Sequence, residues 1–475
     1  MKNCFKVLTG AFMIVLVGMV TQLSSAATYY VSTSGNDANT GTSWDTAKKT
    51  IRAGVNVAGN GNTVLVANGE YVLSGQIVVS NNIAIRSVNG PTGTIVNGNG
   101  PVTFSRCFYL GSDCTLDGFT VINGYALYPS NAYGGGVYCT STNTIITNCT
   151  LTGNLAGTGG AAWRSTLNNC TLADNSAGTA GATYQSTLNN CTLTGNSAYL
   201  GGGTFQSTLN NCTLTGNFTD PYGSGGAAYQ STLNNCTLTG NSALIGSAAY
   251  QSTLNNCIVY YNNGTPQCDA ATMRHTCAPD APAGDGNITN EPMFVDRNNG
   301  NYRLSAGSSC INAGANSLAP TNLTPVDLDG NLRIWNITVD MGAYEYGSVP
   351  PTPIELIIKA NGCTDNVTIN NSANLSITVQ LDPGEYTGVN VDWWVFACSG
   401  SSWFYKDSVA GWIQAGTWHP VCQGALGYLP ATEVLNTSGL RTGLYTFYFA
   451  VDYPMDGILN LDGPILVDAV NVTVQ

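Results

Sequence analysis

Acidic side chains at Asp327, Asp329, Asp340 and Glu345 offer oxygen donors of the kind calcium takes, in a shell of about 6–8 oxygens. The alternative is that they serve as turn and cap acceptors. Asp452, Asp456, Asn460 and Asp462 offer a similar spacing, without the full loop or bidentate acid of an EF-hand. His275 and His419 lie far apart in the chain and form no recognisable triad. Between Val137 and Asn262 the charged residues are Arg164, Asp174 and Asp220, and histidine is absent. A glycoside hydrolase needs two carboxylates roughly 5–9.5 Å apart. A calcium-dependent lyase needs clustered acids with a Lys or Arg base. Neither set exists in this stretch, so no catalytic residue is assigned there. Its candidate ligand contacts are Phe218, Asp220 and Tyr222, in a local expansion where exposed rings could stack on a sugar or a protein partner.

That stretch is a repeat. Cys149, Cys170, Cys191, Cys212, Cys236 and Cys257 recur at a step of 21 residues, widened to 24 before Cys236. A self-similar unit of this length marks a solenoid, in which a unit buries its apolar surface only against its neighbours. The unit is rich in Thr, Asn, Gly and Ser and has few leucines, which favours strands and turns over a helical side. Each unit therefore reads as one coil of a parallel β-helix with about 4.8 Å between coils. Trp163, Tyr184, Phe205, Tyr229 and Tyr250 share one phase, and Leu167, Leu188, Leu209, Leu233 and Leu254 share another. Asn154, Asn175, Asn196, Asn217, Asn241 and Asn262 form a third file, expected to bond amide to amide from coil to coil. The cysteine file reads as a buried stack of free thiols, because in-register strands hold Cβ atoms farther apart than the roughly 3.8 Å of a disulfide. Among the other cysteines, Cys268 with Cys277 and Cys398 with Cys422 are the expected bridges.

The chain has 475 residues, 27 acids against 15 bases and a net charge of −12, which disfavours nucleic acid and anionic membrane surfaces as partners. Lys2 and Lys6, an apolar run from Val7 to Val20 and small residues at Ser24 and Ala26 read as a secretory signal over residues 1–26. No later apolar run reaches membrane-spanning length.

After the signal, residues 27–60 read as a cap containing a helix from Trp44 to Val57, started by Ser43 or Asp45. Trp44, Ala47, Ile51, Val55 and Ala58 would form its apolar face, plugging the first coil. Regular repeats occupy residues 145–262, and the β-helix domain extends over 27–347. A Pro-rich linker at 348–355 precedes alternating strands over 356–475, read as a β-sandwich.

The opening Tyr29-Tyr-Val-Ser with Gly35-Asn-Asp, Gly41-Thr-Ser-Trp44 and Asn62-Thr-Val-Leu-Val-Ala-Asn-Gly-Glu-Tyr71 resembles secreted right-handed β-helix proteins of the pectate-lyase-like superfold. The repeats, with Gly159-Gly160, Gly201-Gly202 and Gly225-Gly226, are similar to those of polymorphic outer membrane proteins. Residues 290–347, with Asp327-Leu-Asp-Gly-Asn and Asp340-Met-Gly-Ala-Tyr-Glu345, resemble the closing module of bacterial surface β-helix proteins, which in that family ends the solenoid. The resemblance implies an all-β chain at the cell surface or outside the cell. The expected role is non-catalytic, in adhesion, glycan binding or envelope structure, with carbohydrate or a surface protein as partner and no cofactor except calcium at the acidic set. The alternative is a polysaccharide lyase or glycoside hydrolase, whose nearest charges are Arg86, Arg106, Asp113 and Asp117 on the early coils.

Overall fold

The structure, a computed structural model, describes residues 26–127, 132–264, 266–319, 326–334, 338–350, 354–415, 418–452, 455–459 and 465–475. The signal segment before Ala26 and the linker residues 351–353 lie outside the described residues, as do Asn460 and Asp462. The chain falls into two compact units that divide after Pro350.

The first unit is a right-handed parallel β-helix of about 10 turns. Its first sheet has 11 strands, from Thr28–Val31 to Thr272–Arg274. The second runs from Gly69–Val72 to Ile258–Val259 and the third from Ile77–Val79 to Cys268–Asp269, with 9 strands each. A fourth, of 5 strands, spans Tyr125–Ala126 to Phe218–Ser224. One coil takes Ala162–Trp163 in the third sheet, Thr166–Asn168 in the first, Thr171–Ala173 in the second and Ser176–Thr179 in the fourth. The next coil pairs with it in register, Leu167 opposite Leu188 and Leu172 opposite Leu193.

Alternation sets what is buried. Leu167, Leu188, Leu209, Leu233 and Leu254 point inward from the first sheet, and Leu151, Leu172, Leu193, Leu214 and Leu238 from the second, all at 0% exposure. Each is worth about 1.5–3 kcal/mol of burial, and a lone coil would leave both of its leucines open on either side. Between these two sheets the thiols of the cysteine file are free and buried. The Cys170 backbone N–H donates to Cys191 Sγ at 3.4 Å, and that thiol reaches the Leu167 carbonyl at 3.5 Å. The asparagine file is bonded throughout. Asn175 Nδ2 donates to Asn196 Oδ1 at 3.0 Å and to the Leu151 carbonyl at 2.9 Å. At its far end Gln267 Oε1 takes the place of the next asparagine, accepting both the backbone N–H and Nδ2 of Asn262.

The N-terminal helix is shorter than its sequence pattern. It spans Ile51–Val57, with Thr50 rather than Ser43 or Asp45 as its N-cap. The reason is Asp37, whose carboxylate accepts the Lys49 and Thr50 N–H groups and holds the preceding chain in a turn. Ala47, Ile51, Val55 and Ala58 are buried as expected, whereas Trp44 stands 45% exposed, edge-on to Tyr30.

The segment after the last coil folds back along the solenoid's flank. Asn190, Asn211, Asn235 and Asn256 form the left-handed turns between the first and second sheets, at φ between 51° and 53°. Their side-chain amides donate outward to the carbonyls of Asp327, Val326, Asp340 and Ala315. A second apolar cluster, Ile258, Cys277, Leu304, Cys310 and Met341, joins this segment to the last coils.

In the second unit a sheet built on Glu355–Ala360, Leu375–Asp382 and Leu429–Thr437 faces a larger antiparallel sheet centred on Asn390–Ser399 and Gly443–Asp452. Ile377, Val379 and Leu381 from one pack with Trp393, Val395 and Phe449 from the other, the core of a β-sandwich. The two expected disulfides are absent. Cys398 lies opposite Trp403 and Thr446, while Cys422 lies opposite Trp393, five residues along the same strand. Cys268 sits on the third sheet, and Cys277 lies against Cys310 in the flank cluster instead.

Candidate functional site

The outward face of the third sheet carries an ordered array of aromatic and amide side chains. Its strands in the repeats are two residues long. The first residue, such as Ala162, Thr183 or Thr204, is buried, and the second, aromatic one is half-buried and turned outward. Two local features hold this geometry. Before the strand, Gly159, Gly201 and Gly225 adopt φ of 65°, 64° and 70°, and a Cβ on the following Gly160 would strike the Gly181 carbonyl of the next coil. After the strand, Arg164, Gln185, Gln206, Gln230 and Gln251 sit in left-handed turns. The next residue, Ser186, then bonds through Oγ back to the Tyr184 carbonyl at 3.1 Å and accepts the Ser165 N–H at 3.2 Å. Ser207, Ser231 and Ser252 repeat that corner.

The result is two parallel files. Seven rings lie in register, Tyr109, Tyr138, Trp163, Tyr184, Phe205, Tyr229 and Tyr250. Trp163 and Tyr184 are 4.4 Å apart at 4°, Tyr184 and Phe205 5.4 Å at 13°, Phe205 and Tyr229 4.7 Å at 6°. Stacked this closely along the rod, the rings cover one another's faces and show their edges to solvent. Beside them runs an exposed amide file. Gln185 Nε2 donates to Gln206 Oε1 at 3.2 Å, Gln206 to Gln230 at 3.2 Å, and Gln230 to Gln251 at 2.9 Å. Tyr184 Oη ties the two files together by donating to Gln206 Oε1 at 3.1 Å.

Tyr109 and Tyr138 belong to coils outside the regular period, so spacing did not expose them. Beneath them the buried Arg106 guanidinium lies 4.8 Å from the Tyr138 ring centre. Burial lowers its pKa, and Tyr138 and Tyr109 act against that. At the other end, burial and the neighbouring Tyr250 raise the Tyr229 phenol. In the repeat coils the charge beside this face is Arg164.

The expansion before Cys236 is a bulge in the fourth sheet. Ala198 pairs with Thr219 and Leu200 with Ser224, so Tyr199 faces the whole run from Asp220 to Gly223. Phe218 is 45% and Tyr222 79% exposed, and Asp220 is exposed beside them. Tyr199 and Leu244, exposed on the flanking coils, extend the apolar surface. This bulge and the aromatic file lie on different sheets.

The acidic set of the flank segment is used internally. Asp327 accepts the N–H groups of Asp329 and Asn331 through Oδ1 and that of Glu345 through Oδ2. Asp340 accepts those of Asn312 and Tyr346. Glu345 Oε2 pairs with the buried Arg333 at 3.0 Å, and Asp329 pairs with Arg303. Burial raises the Asp327 and Asp340 pKa values and the N–H donors lower them. A calcium ion here would compete with these donors and with the two guanidinium groups for the carboxylate oxygens. Among the described residues, no group of three or more His, Cys, Asp or Glu is placed to hold a metal ion.

On the early coils, Arg86 and Asp117 face outward from the first sheet 3.9 Å apart, and Asn148 Nδ2 donates to Asp117 at 3.0 Å. Asp113 stands in a turn between sheets, and Arg106 is under the tyrosines, so the four charges do not converge. A cleft of 410 Å³ at the N-terminal cap is lined by Asp37, Lys49, Arg52 and Glu70. Asp37 caps the turn, Arg52 binds the Gly75 and Gln76 carbonyls, and Glu70 accepts from Asn97.

No family model matches the chain, and no curated protein matches it. Among solved structures it is similar to pectate lyase Pel9A, with 16% identity, a TM-score of 0.44 and coverage of 68% of this chain and 97% of that one. A rhamnogalacturonan lyase follows at 16% identity and a TM-score of 0.31, covering 52% and 74%. The pectin methylesterase from Aspergillus niger has 10% identity and a TM-score of 0.30, covering 57% and 92%. Likeness at this level carries no argument about activity.

Proposed function

We propose that the β-helix is an exported, glycan-contacting rod that holds an extended, uncharged polysaccharide along its aromatic and glutamine files, serving adhesion or envelope structure. The observation that carries this reading is the exposed amide file from Gln185 to Gln251. Gln230 spends one N–H and one lone pair within the file and keeps a second of each for a ligand, Gln206 keeps one N–H, and Gln185, at the start, keeps one N–H and its carbonyl oxygen. The rings beside it offer edges, so recognition rests on hydrogen bonds along the file rather than on flat stacking. An acidic polymer would need several cations, and the repeat coils offer Arg164 here.

A second reading, an enzyme acting on a polysaccharide, is favoured by the outward Arg86–Asp117 pair on the early coils. The solved structures named above are two lyases and an esterase. One experiment separates the two. The chain is screened against neutral and acidic polysaccharides, with calcium and with chelator, recording retention and new chain ends. Retention on a neutral glycan without new ends, weakened in Gln206→Ala/Gln230→Ala, is the expected result. New unsaturated or reducing ends, lost in Asp117→Asn, would establish the enzyme instead. Retention on no glycan together with no new ends would overturn both.

A further inference from the structure

Six of the 16 cysteines lie in the inward file, where parallel in-register strands keep them from bridging. Cys277 and Cys310 are placed differently. Along the outward face of the second sheet one position is threonine in coil after coil, Thr171, Thr192, Thr213 and Thr237. It then becomes Ile258, Cys277 and Ile288 on the last coils. That change occurs where the flank segment covers the face with Leu304, Cys310 and Met341. Cys277 and Cys310 are both at 0% exposure and belong to one buried cluster, where Cys277 Sγ also reaches the Asn290 carbonyl at 3.1 Å. They come from segments that meet by packing, so no strand register holds them at a coil spacing.

We propose that Cys277 and Cys310 are a disulfide site that staples the flank segment to the last coils of the β-helix. The oxidant is a disulfide, either a low-molecular-weight one such as oxidised glutathione or that of a thiol–disulfide oxidoreductase. One cysteine, as thiolate, attacks a sulfur of that disulfide and releases the first thiolate. The second cysteine gives up its proton and attacks the resulting mixed disulfide, releasing the other. Two thiols are oxidised to one bond, one disulfide is reduced to two thiols, and the two protons end on the released sulfurs. The neighbouring Cys310 and burial both push the Cys277 thiol up, so the folded, reduced pair reacts slowly. Bridging therefore accompanies docking of the flank segment, and the finished bond is shielded from reductant.

The full chain is unfolded in reductant, then refolded in a glutathione redox buffer or in reductant alone, alkylated under denaturing conditions and digested with trypsin. Cleavage after Arg274, Arg297, Arg303 and Arg333 places each cysteine alone in its peptide, His275–Arg297 and Leu304–Arg333. The expected result is one cross-linked species of these two peptides, lighter than their sum by two hydrogens, with the six file cysteines alkylated. Protein refolded in reductant and then exposed to the same buffer should form it far more slowly. Cys277→Ser/Cys310→Ser should refold in reductant like the parent but gain no resistance to thermal unfolding from the redox buffer. Recovery of both peptides fully alkylated after oxidative refolding, or of Cys310 joined to another cysteine, would overturn the proposal. The wild-type mapping decides this even if the variant fails to fold.

Discussion

The side-chain oxygen of Asn217 accepts two hydrogen bonds from Asn196, one from its backbone N–H at 3.1 Å and one from Nδ2 at 2.9 Å. Asn196 in turn gives its own oxygen to Asn175 in the same way. The Asn196 side chain thus satisfies four buried groups that water cannot reach. Asn196→Ala strands the two donors of Asn175, frees the Leu172 carbonyl and takes one of two donors from the Asn217 oxygen, and should cost about 3 kcal/mol. Gln267→Ala, at the partly buried end where water can substitute, should cost about 1 kcal/mol. Urea unfolding of the two variants checks the ratio, and equal losses would contradict a bonded file.

Arg333 and Glu345 are the buried ion pair of the flank segment, and Arg333 also donates to the Asp340 carbonyl at 3.1 Å. Removing one member leaves the other charge buried, at a cost of about 3–5 kcal/mol. Arg333→Met should therefore loosen residues 326–347 from the coils, and limited proteolysis should cut there first. Because Asp327 and Asp340 already accept backbone N–H groups, adding calcium or a chelator should leave the thermal midpoint unchanged. A rise with calcium would show that the carboxylates rearrange around an ion.

The repeat made most of the coil geometry legible. A period of 21 residues with one cysteine, one asparagine and one aromatic per unit is enough to assign in-register files, and the structure places all three as expected. What the period could not carry is anything outside it. Tyr109 and Tyr138 join the aromatic file through pairing with Trp163, although their coils differ in length. Gln267 closes the asparagine file from a segment without the motif. For the acidic set, sequence shows the carboxylates and not the backbone donors that reach them. The helix start at Thr50 depended on Asp37, 13 residues earlier, which no local capping pattern reveals.

Buried thiols make the β-helix sensitive to alkali. Burial raises the pKa values of Cys149, Cys170, Cys191, Cys212 and Cys236 well above the ordinary thiol value, and pushes Cys107 up to about 12. Below the unfolded pKa near 8.5 both states hold these protons and stability does not depend on them. Above it the unfolded chain ionises while the folded chain does not, so stability falls by about 1.4 kcal/mol per pH unit for each thiol. Unfolding midpoints should therefore drop steeply above about pH 8.5. Replacing Cys191 by alanine should make the drop shallower by one thiol's share. An unchanged slope would mean that the file does not stay protonated in the fold.

The bulge from Asp220 to Tyr222 interrupts the fourth sheet without supporting it. Its partner strand supplies Tyr199 alone against four residues, and pairing resumes at Leu200 with Ser224. Deleting Asp220, Pro221 and Tyr222 joins Thr219 to Gly223 and restores the 21-residue step. The deletion should shift stability by less than about 1 kcal/mol, since exposed rings contribute little burial. If the bulge contacts ligand, retention on a glycan column should fall while the unfolding midpoint holds. A large loss of stability would show instead that Phe218 and Tyr222 brace the coil edge, and the bulge would then be part of the scaffold.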